Sequence, residues 1–484
     1  METVTISKID DVHVKCECEA SVSQELSDYF TFDVPSAKFH PLYRNKVWDG
    51  KIRLFNYMSR TLYAGLLPYI VSFCNSRDYQ VILKPGTIDI NEFSDDYGYS
   101  LSKKHKTKFE VRDYQNEAVV HGLRYNRALM VCPTASGKSF IIYLLSRYHL
   151  SQGRNILIVV PTTSLVHQMK SDFIEYNNGQ PMDIHTIMAG AEKDINNKIV
   201  ISTWQSLYKL KKDWFKRYDV VVGDEAHLFK AKSLTSIMTK LTSCPYRYGF
   251  TGTLDGTQTN KLVLEGLFGP AKQIITTSDL MDQKVLADLS IKALVLKYPE
   301  SVCKLNKSKT YQEEIDYIVR NHSRNLFIKN LALNLKGNSL LLFQFVEKHG
   351  KPLYELINND DRKVYLIYGD TDSKEREDVR HMVEGEEDSI IIASYGTFST
   401  GINIRNLHNI VFCSPSKSRI RNLQSIGRGL RISDSKSRAT LYDIVDDLSY
   451  KTYQNYALKH FMERADIYSK EGFKYKLYPV NIKE

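Results

Sequence analysis

Apolar residues fall along this chain in short runs set at regular intervals. From about residue 128 onward, ALMVCP (128–133), NILIVVP (155–161), KIVIST (198–203), DVVVGDEAH (219–227) and RYGFTGT (247–253) are separated by helix-length segments such as SFIIYLLSRYHL. Runs of β-branched and aliphatic residues without alternation predict strands buried on both faces, and the spacing predicts parallel βα units. The rhythm restarts near 340 with SLLLFQF, VYLIYG (364–369), SIIIAS (389–394), NIVFCS (409–414) and ATLYDIV (439–445). Two consecutive doubly wound α/β domains follow from this pattern. A Tyr- and Phe-rich segment precedes them and ends in SDDYGYSLSKKHKTK (94–108), a predicted linker. The polar helical run KSKTYQEEIDYIVRNHSRN predicts an interdomain connection. The expected boundaries are a small α+β domain at 1–105, a first α/β domain at 106–283, a connection at 284–318 and a second α/β domain at 319–484.

Composition narrows the class. Of 484 residues, 42% are hydrophobic and 25% charged, as in ordinary soluble chains. No run approaches the ~20 apolar residues of a membrane span. The seven scattered cysteines offer no zinc spacing and suit a reducing cytoplasm. The net charge of +10 is uneven: residues 1–110 carry 14 Lys+Arg against 15 Asp+Glu, so the excess lies on the later, larger part. An anionic partner fits that distribution, as does simple solubility.

Candidate chemistry sits at the ends of the predicted strands. In CPTASGKS (132–139), a strand gives way to a helix, the setting of a phosphate-binding loop, with Cys132 at the usual leading glycine. Thr134, Ala135, Ser136 and Gly137 would form the loop, with Gly137 letting the backbone approach the phosphates. Lys138 would meet the β/γ-phosphates, and Ser139 would offer an oxygen to Mg²⁺. At the carboxyl end of VVVGDEAHL (220–228), Asp224 would hold the metal and Glu225 the attacking water. RDYQ (112–115) places Arg112 and Gln115 ahead of the loop, and the Gln115 amide matches an adenine edge. In LQSIGRGLR (423–431), Arg428 and Arg431 share a helical face and could stabilise charge at another domain's phosphate site.

The ordered set RDYQ, PTASGKS, PTTSLVHQM, STWQSL, GDEAH, FTGT, TGINI and QSIGRGLR resembles superfamily 2 helicases, and most of all the phage UvsW-type recombination helicases. The resemblance spans almost the whole chain, including KVWDGKIRL near the start. It implies two tandem RecA-like domains, ATP and Mg²⁺ as cofactors, and DNA as partner. Thr162, Thr163, Thr203 and Gln205 would hold one strand's backbone. Thr251 and Thr253 would couple hydrolysis to domain movement. Gly401 and Asn403 would line the site from the second domain, with Gln424 near the γ-phosphate and Arg428 and Arg431 as arginine fingers. Two further departures are Tyr395, where a threonine is usual, and Ser425 after Gln424. The resemblance also implies a phage protein in the host cytoplasm, acting as a monomer on branched DNA with 3′-to-5′ movement. An RNA helicase of the DEAD/DEAH kind, a restriction-enzyme motor and a non-catalytic nucleic-acid-binding protein are the rival readings.

KVWDGKIRL itself reads as a β-hairpin turning at Asp49-Gly50. Val47, Ile52 and Leu54 would face a core, and Arg44, Lys46, Trp48, Lys51 and Arg53 would form a basic face around an aromatic. That face suits phosphate contact and base stacking, or equally a solvated surface with one packed tryptophan.

Overall fold

The computed structural model describes residues 2–34, 37–188, 190–192, 196–228, 231–252, 254, 258–358, 362–371, 373–397, 404, 406–415 and 438–483. The chain divides into two compact units, one of residues 1–132 and 137–274, the other of residues 133–136 and 275–484.

The first unit opens with β1 (Thr3–Lys8) and β2 (His13–Glu17). These are followed by β3 (Thr31–Asp33), β4 (Lys51–Arg53), β5 (Thr61–Tyr63) and β6 (Gln80–Leu83). The sheet order is β5-β2-β1-β6, with β3 and β4 forming a separate antiparallel pair. Alternation along β1 and β2 buries Val4, Ile6, Val14 and Cys16 against helices Ala20–Tyr29 and Leu67–Asn75. This small α+β domain packs directly on the helix Gln258–Phe268. Leu262 joins its core, Tyr69 donates to Glu265 at 2.8 Å, and a Cβ on Gly65 would lie 2.0 Å from the Glu265 carbonyl oxygen. Such close backbone approach leaves room only for glycine.

The remainder of the unit holds β7 (Arg127–Val131), β8 (Ile156–Val160), β9 (Ile184–Ile187), β10 (Ile199–Thr203), β11 (Val220–Gly223), β12 (Tyr246–Thr251) and β13 (Ala271–Gln273). They form one all-parallel sheet of order β13-β7-β12-β11-β8-β10-β9. Its central strands are buried throughout, which is why their sequences run without polar alternation. The segment 94–108, expected as a linker, instead contains a helix, Tyr97–His105. It lies so close to the helix Asp113–Tyr125 that a Cβ on Gly98 would meet Asn116 Oδ1 at 2.6 Å.

The second unit repeats the architecture with β14 (Asp288–Lys297), β15 (Ser339–Phe343), β16 (Val364–Ile367), β17 (Ile390–Ser394), β18 (Asn409–Phe412), β19 (Arg438–Asp447) and β20 (Tyr475–Asn481). The order is β16-β17-β15-β18-β19-β14-β20, again all parallel. Within the stretch 284–318, expected to connect two domains, residues 288–297 are a strand of this sheet. Its strand β14 is paired along its whole length with β19. Two buried ion pairs clamp helices to β19: Arg324 to Asp446 at 2.7 Å, and Arg464 to both oxygens of Asp443 at 2.8 and 2.9 Å. Tyr395 lies buried against Phe412 and donates to the Ser414 carbonyl oxygen, so it serves the core of this unit.

Candidate nucleotide site and nucleic-acid groove

In the first sheet β7 and β11 flank β12, so the segments following all three emerge side by side at the carboxyl edge. After β7 and Cys132 the loop turns through Ala135 (φ +67°) and Gly137 (φ +79°) into the helix Lys138–Ser151. Ser136 is buried and donates to the Pro133 carbonyl oxygen at 2.8 Å, which fixes the turn internally. At Gly137 a Cβ would stand 2.5 Å from Gln115 Nε2. Gly137 and the buried Gln115 amide are thus pressed together, while Gln115 Oε1 accepts from the Arg112 backbone N–H at 3.1 Å. Arg112 itself donates to the Tyr114 hydroxyl at 3.1 Å.

Across the strand ends, Lys138 Nζ donates to Glu225 Oε1 at 2.8 Å and reaches the Cys132 carbonyl oxygen at 3.5 Å. Burial works against the lysine's charge, but Glu225 and Asp224 outweigh it and raise its pKa above the ordinary value. Asp224 is buried beside them, its Oδ1 accepting the Glu225 backbone N–H at 2.9 Å. Burial, then the neighbouring Glu225 charge, pushes its carboxyl up to about 7 against the pull of Lys138. Glu225 sits at φ +49°, a strained setting for a side chain that must leave a strand end at this angle. His227 Nδ1 bonds Thr251 Oγ1 at 2.6 Å, tying the turn after β11 to the end of β12. Ser139 Oγ lies 2.7 Å from the Tyr176 hydroxyl, and Tyr176 is packed edge-on to Phe140. Tyr176 and His227 did not stand out in the sequence; His227 ends the GDEAH motif, whereas nothing local marks Tyr176.

Two carboxylates set against one ammonium leave a negative charge that another cation would balance. Among the described residues no cluster of three or more metal-ligating side chains occurs. That donor set fits Mg²⁺, which takes one or two carboxylates and fills its shell with phosphate oxygens and water. Gly401, Asn403, Gln424, Arg428, Arg431 and Thr253 lie outside the described residues.

A second cluster forms at the ends of β8 and β10. Thr162, Thr163, Thr203 and Gln205 line one surface groove with Pro161, Met188, Ser206, Lys209 and Leu210. Thr162 caps the helix Thr163–Tyr176, accepting from the Leu165 N–H at 3.4 Å, and Gln205 Nε2 donates to the Pro161 carbonyl oxygen. Sequence reasoning brought out the four polar residues but not Lys209, whose place in the groove depends on the short helix Trp204–Leu207.

The expected hairpin at 46–54 does not form. Pro41 at a helix N-terminus, with His40 Nδ1 accepting the Leu42 N–H at 3.2 Å, starts the helical turn Pro41–Arg44. The N–H groups of Val47 and Trp48 then both turn back to the Leu42 carbonyl oxygen. The would-be first strand is consumed, and β4 pairs with β3 instead. Val47, expected in the core, is 72% exposed. Trp48, expected to stack on bases, donates its indole N–H to the Lys51 carbonyl oxygen at 2.8 Å and meets His40 edge-on. Lys46, Lys51 and Arg53 are exposed, Arg53 paired to Asp49.

Tandem all-parallel sheets, with a lysine-bearing loop facing an Asp–Glu pair in the first, define a RecA-like helicase motor. The sequence profiles described as "Type III restriction enzyme, res subunit" and "Helicase conserved C-terminal domain" match residues 108–256 and 323–433. The profile "DNA helicase UvsW, N-terminal" matches residues 4–84. The ATP-dependent DNA helicase uvsW of Enterobacteria phage T4 is 37% identical over 98% of both chains. A crystal structure of T4 UvsW aligns with 35% identity over 99% of this chain and 100% of that one, at a TM-score of 0.53. The DNA 3′-5′ translocase XPB2 of Sulfurisphaera tokodaii is 24% identical, covering 70% of this chain and 82% of its own. The chain belongs to the UvsW family of ATP-dependent DNA helicases.

Proposed function

We propose that this helicase remodels branched DNA, regressing forks, migrating Holliday junctions and unwinding D-loops and R-loops, with 3′-to-5′ movement along one strand. The observation that carries the reading is the α+β domain packed on the first motor domain, the segment matched by the UvsW N-terminal profile. A 3′-to-5′ polarity also agrees with the XPB2 relative, a DNA 3′-5′ translocase. The proposed setting is phage recombination, repair and replication in the host cytoplasm, with the protein acting as a monomer.

In this reading ATP exchanges for Glu225 on Lys138, whose ammonium then meets the β/γ-phosphates, while backbone N–H groups from Gly137 onward cradle them. Thr134, Ala135 and Ser136 shape that cradle, and Arg112 and Gln115 bind the base. Ser139, once released from Tyr176, and Asp224 would hold Mg²⁺, which would supply neutralisation of the phosphate charge. Glu225, freed from Lys138, orients the attacking water. Gly401, Asn403, Gln424, Arg428 and Arg431 complete the site from the second domain, the arginines stabilising charge during phosphoryl transfer. Thr162, Thr163, Thr203 and Gln205 hold the tracking strand. Lys46, Lys51 and Arg53 contact phosphates through the N-terminal domain, with Trp48 bracing the chain that carries them.

The test compares ATP hydrolysis stimulated by four-way junctions, forks, linear duplex, single strands and structured RNA, followed by unwinding of 3′- and 5′-tailed substrates. Junctions and forks should stimulate most, with activity on 3′ tails. Maximal stimulation by RNA alone would overturn the DNA assignment.

A further inference from the structure

Residues 37–50, ahead of β4, form a small folded lobe with an unusual surface. Gly50 (φ +79°) is pressed against Ala37 and Tyr43, where a Cβ would find both side chains at 3.0 Å. The Gly50 carbonyl oxygen accepts from the Val34 N–H at 2.8 Å, and the His40 cap and the two bonds to the Leu42 carbonyl oxygen fix the rest. Despite this internal order, its large apolar side chains point outward. Phe39 is 62% exposed, Leu42 47% and Val47 72%. Water-facing apolar groups on a fixed scaffold are available to a partner.

The charges around them name the partner. Between Ala37 and Arg53 the sequence places Lys38, Arg44, Lys46, Lys51 and Arg53 against a single acid, Asp49, and that acid is engaged by Arg53. Lys38 Nζ stands 5.3 Å from the Phe39 ring centroid, so the exposed aromatic carries its own cation. Exposed apolar side chains and a basic excess in one short segment fit a polyanion that also exposes flat apolar faces. Nucleic acid whose bases are unpaired or terminal has both properties. Trp48 is excluded from that contact because its indole is committed to the lobe's own backbone.

We propose that the lobe of residues 37–50 is a base-stacking knuckle. Phe39 meets the bases exposed where branched DNA departs from continuous duplex, while Lys46, Lys51 and Arg53 hold the adjoining phosphates. The proposal rests on the branched-DNA reading above and assigns the base contact to a residue outside every helicase motif. Unbroken duplex exposes base faces only at its ends, so the contact selects for junctions.

The experiment uses the full chain with Phe39→Ala, Phe39→Trp and the triple variant Lys46→Ala/Lys51→Ala/Arg53→Ala. Affinity is measured for a fork and for a long linear duplex, with 2-aminopurine at the fork's branch point as an optical reporter. Phe39→Ala should weaken fork binding about tenfold, in line with loss of one aromatic–base stack, and leave linear duplex binding unchanged. The 2-aminopurine quenching seen with wild type should vanish in Phe39→Ala and persist in Phe39→Trp. Wild-type fork affinity and quenching in Phe39→Ala, alongside lost affinity in the triple variant, would overturn the stacking assignment and leave the basic surface standing. Unchanged behaviour of all three variants would remove both.

Discussion

Replacing Gly137 by alanine gives the sharpest prediction about the nucleotide loop, because two separable costs meet there. At φ +79° an L side chain is disfavoured by roughly 1–2 kcal/mol whatever surrounds it. The new Cβ would also lie 2.5 Å from Gln115 Nε2, so the amide must retreat by about 1 Å to reach ordinary contact. Gln115 is buried and holds the Arg112 N–H, so the retreat strains a formed hydrogen bond worth about 1 kcal/mol. Gly137→Ala should therefore lower the stability of the first unit by about 2–3 kcal/mol and raise the KM for ATP. Gln115→Ala should cost about 1 kcal/mol on its own. In the double variant the steric part disappears while the backbone part remains, so the two effects should fall short of additivity by about 1 kcal/mol. Urea unfolding of the four proteins measures this. Strict additivity would refute the packing of Gln115 against the loop.

Other consequences follow from the buried charges. Arg464→Met leaves Asp443 buried without its guanidinium and should cost the second unit about 3–5 kcal/mol, whereas Arg464→Met combined with Asp443→Leu should recover much of that loss. His149 is buried between Arg154 and the Tyr248 hydroxyl, and burial, then the Arg154 charge, pushes its pKa down to about 3. The unfolded chain binds that proton near 6.5, so the contribution to stability is complete above pH 6.5 and falls as pH drops, by about 2 kcal/mol at pH 5. His149→Gln should flatten the stability profile between pH 7 and 5, and an unchanged slope would contradict the assignment. Lys138→Ala should abolish ATP hydrolysis, and turnover retained in that protein would refute the proposed phosphate site.

The motor's central strands were legible because each is buried on both faces, so Ile156–Val160 and Ile390–Ser394 read as unbroken aliphatic runs. Strand β20 was not, since YKLYPVN lies exposed at a sheet edge and contains Pro479, which only an edge tolerates. Strand β14 was passed over because its neighbours on the chain read as polar helix, and its pairing with β19 depends on residues far away in sequence. The Asp49-Gly50 dipeptide suggested a hairpin, but Pro41 and the His40 cap had already committed the preceding residues to a helical turn. At the site, Lys138, Asp224 and Glu225 were readable from local motifs. The Ser139–Tyr176 bond and the place of Lys209 in the groove were not, because each depends on tertiary neighbours with no spacing rule of their own.

The central claim is that hydrolysis at the Lys138–Asp224–Glu225 cluster drives the remodelling of branched DNA. The most direct measurement is conversion of a mobile four-way junction by wild-type and Glu225→Gln proteins under matched, saturating ATP. The account predicts rapid conversion by wild type, and a Glu225→Gln protein that binds ATP and junction yet converts none. Conversion by Glu225→Gln at the wild-type rate, or no conversion by wild type while RNA drives its ATP hydrolysis, would contradict it.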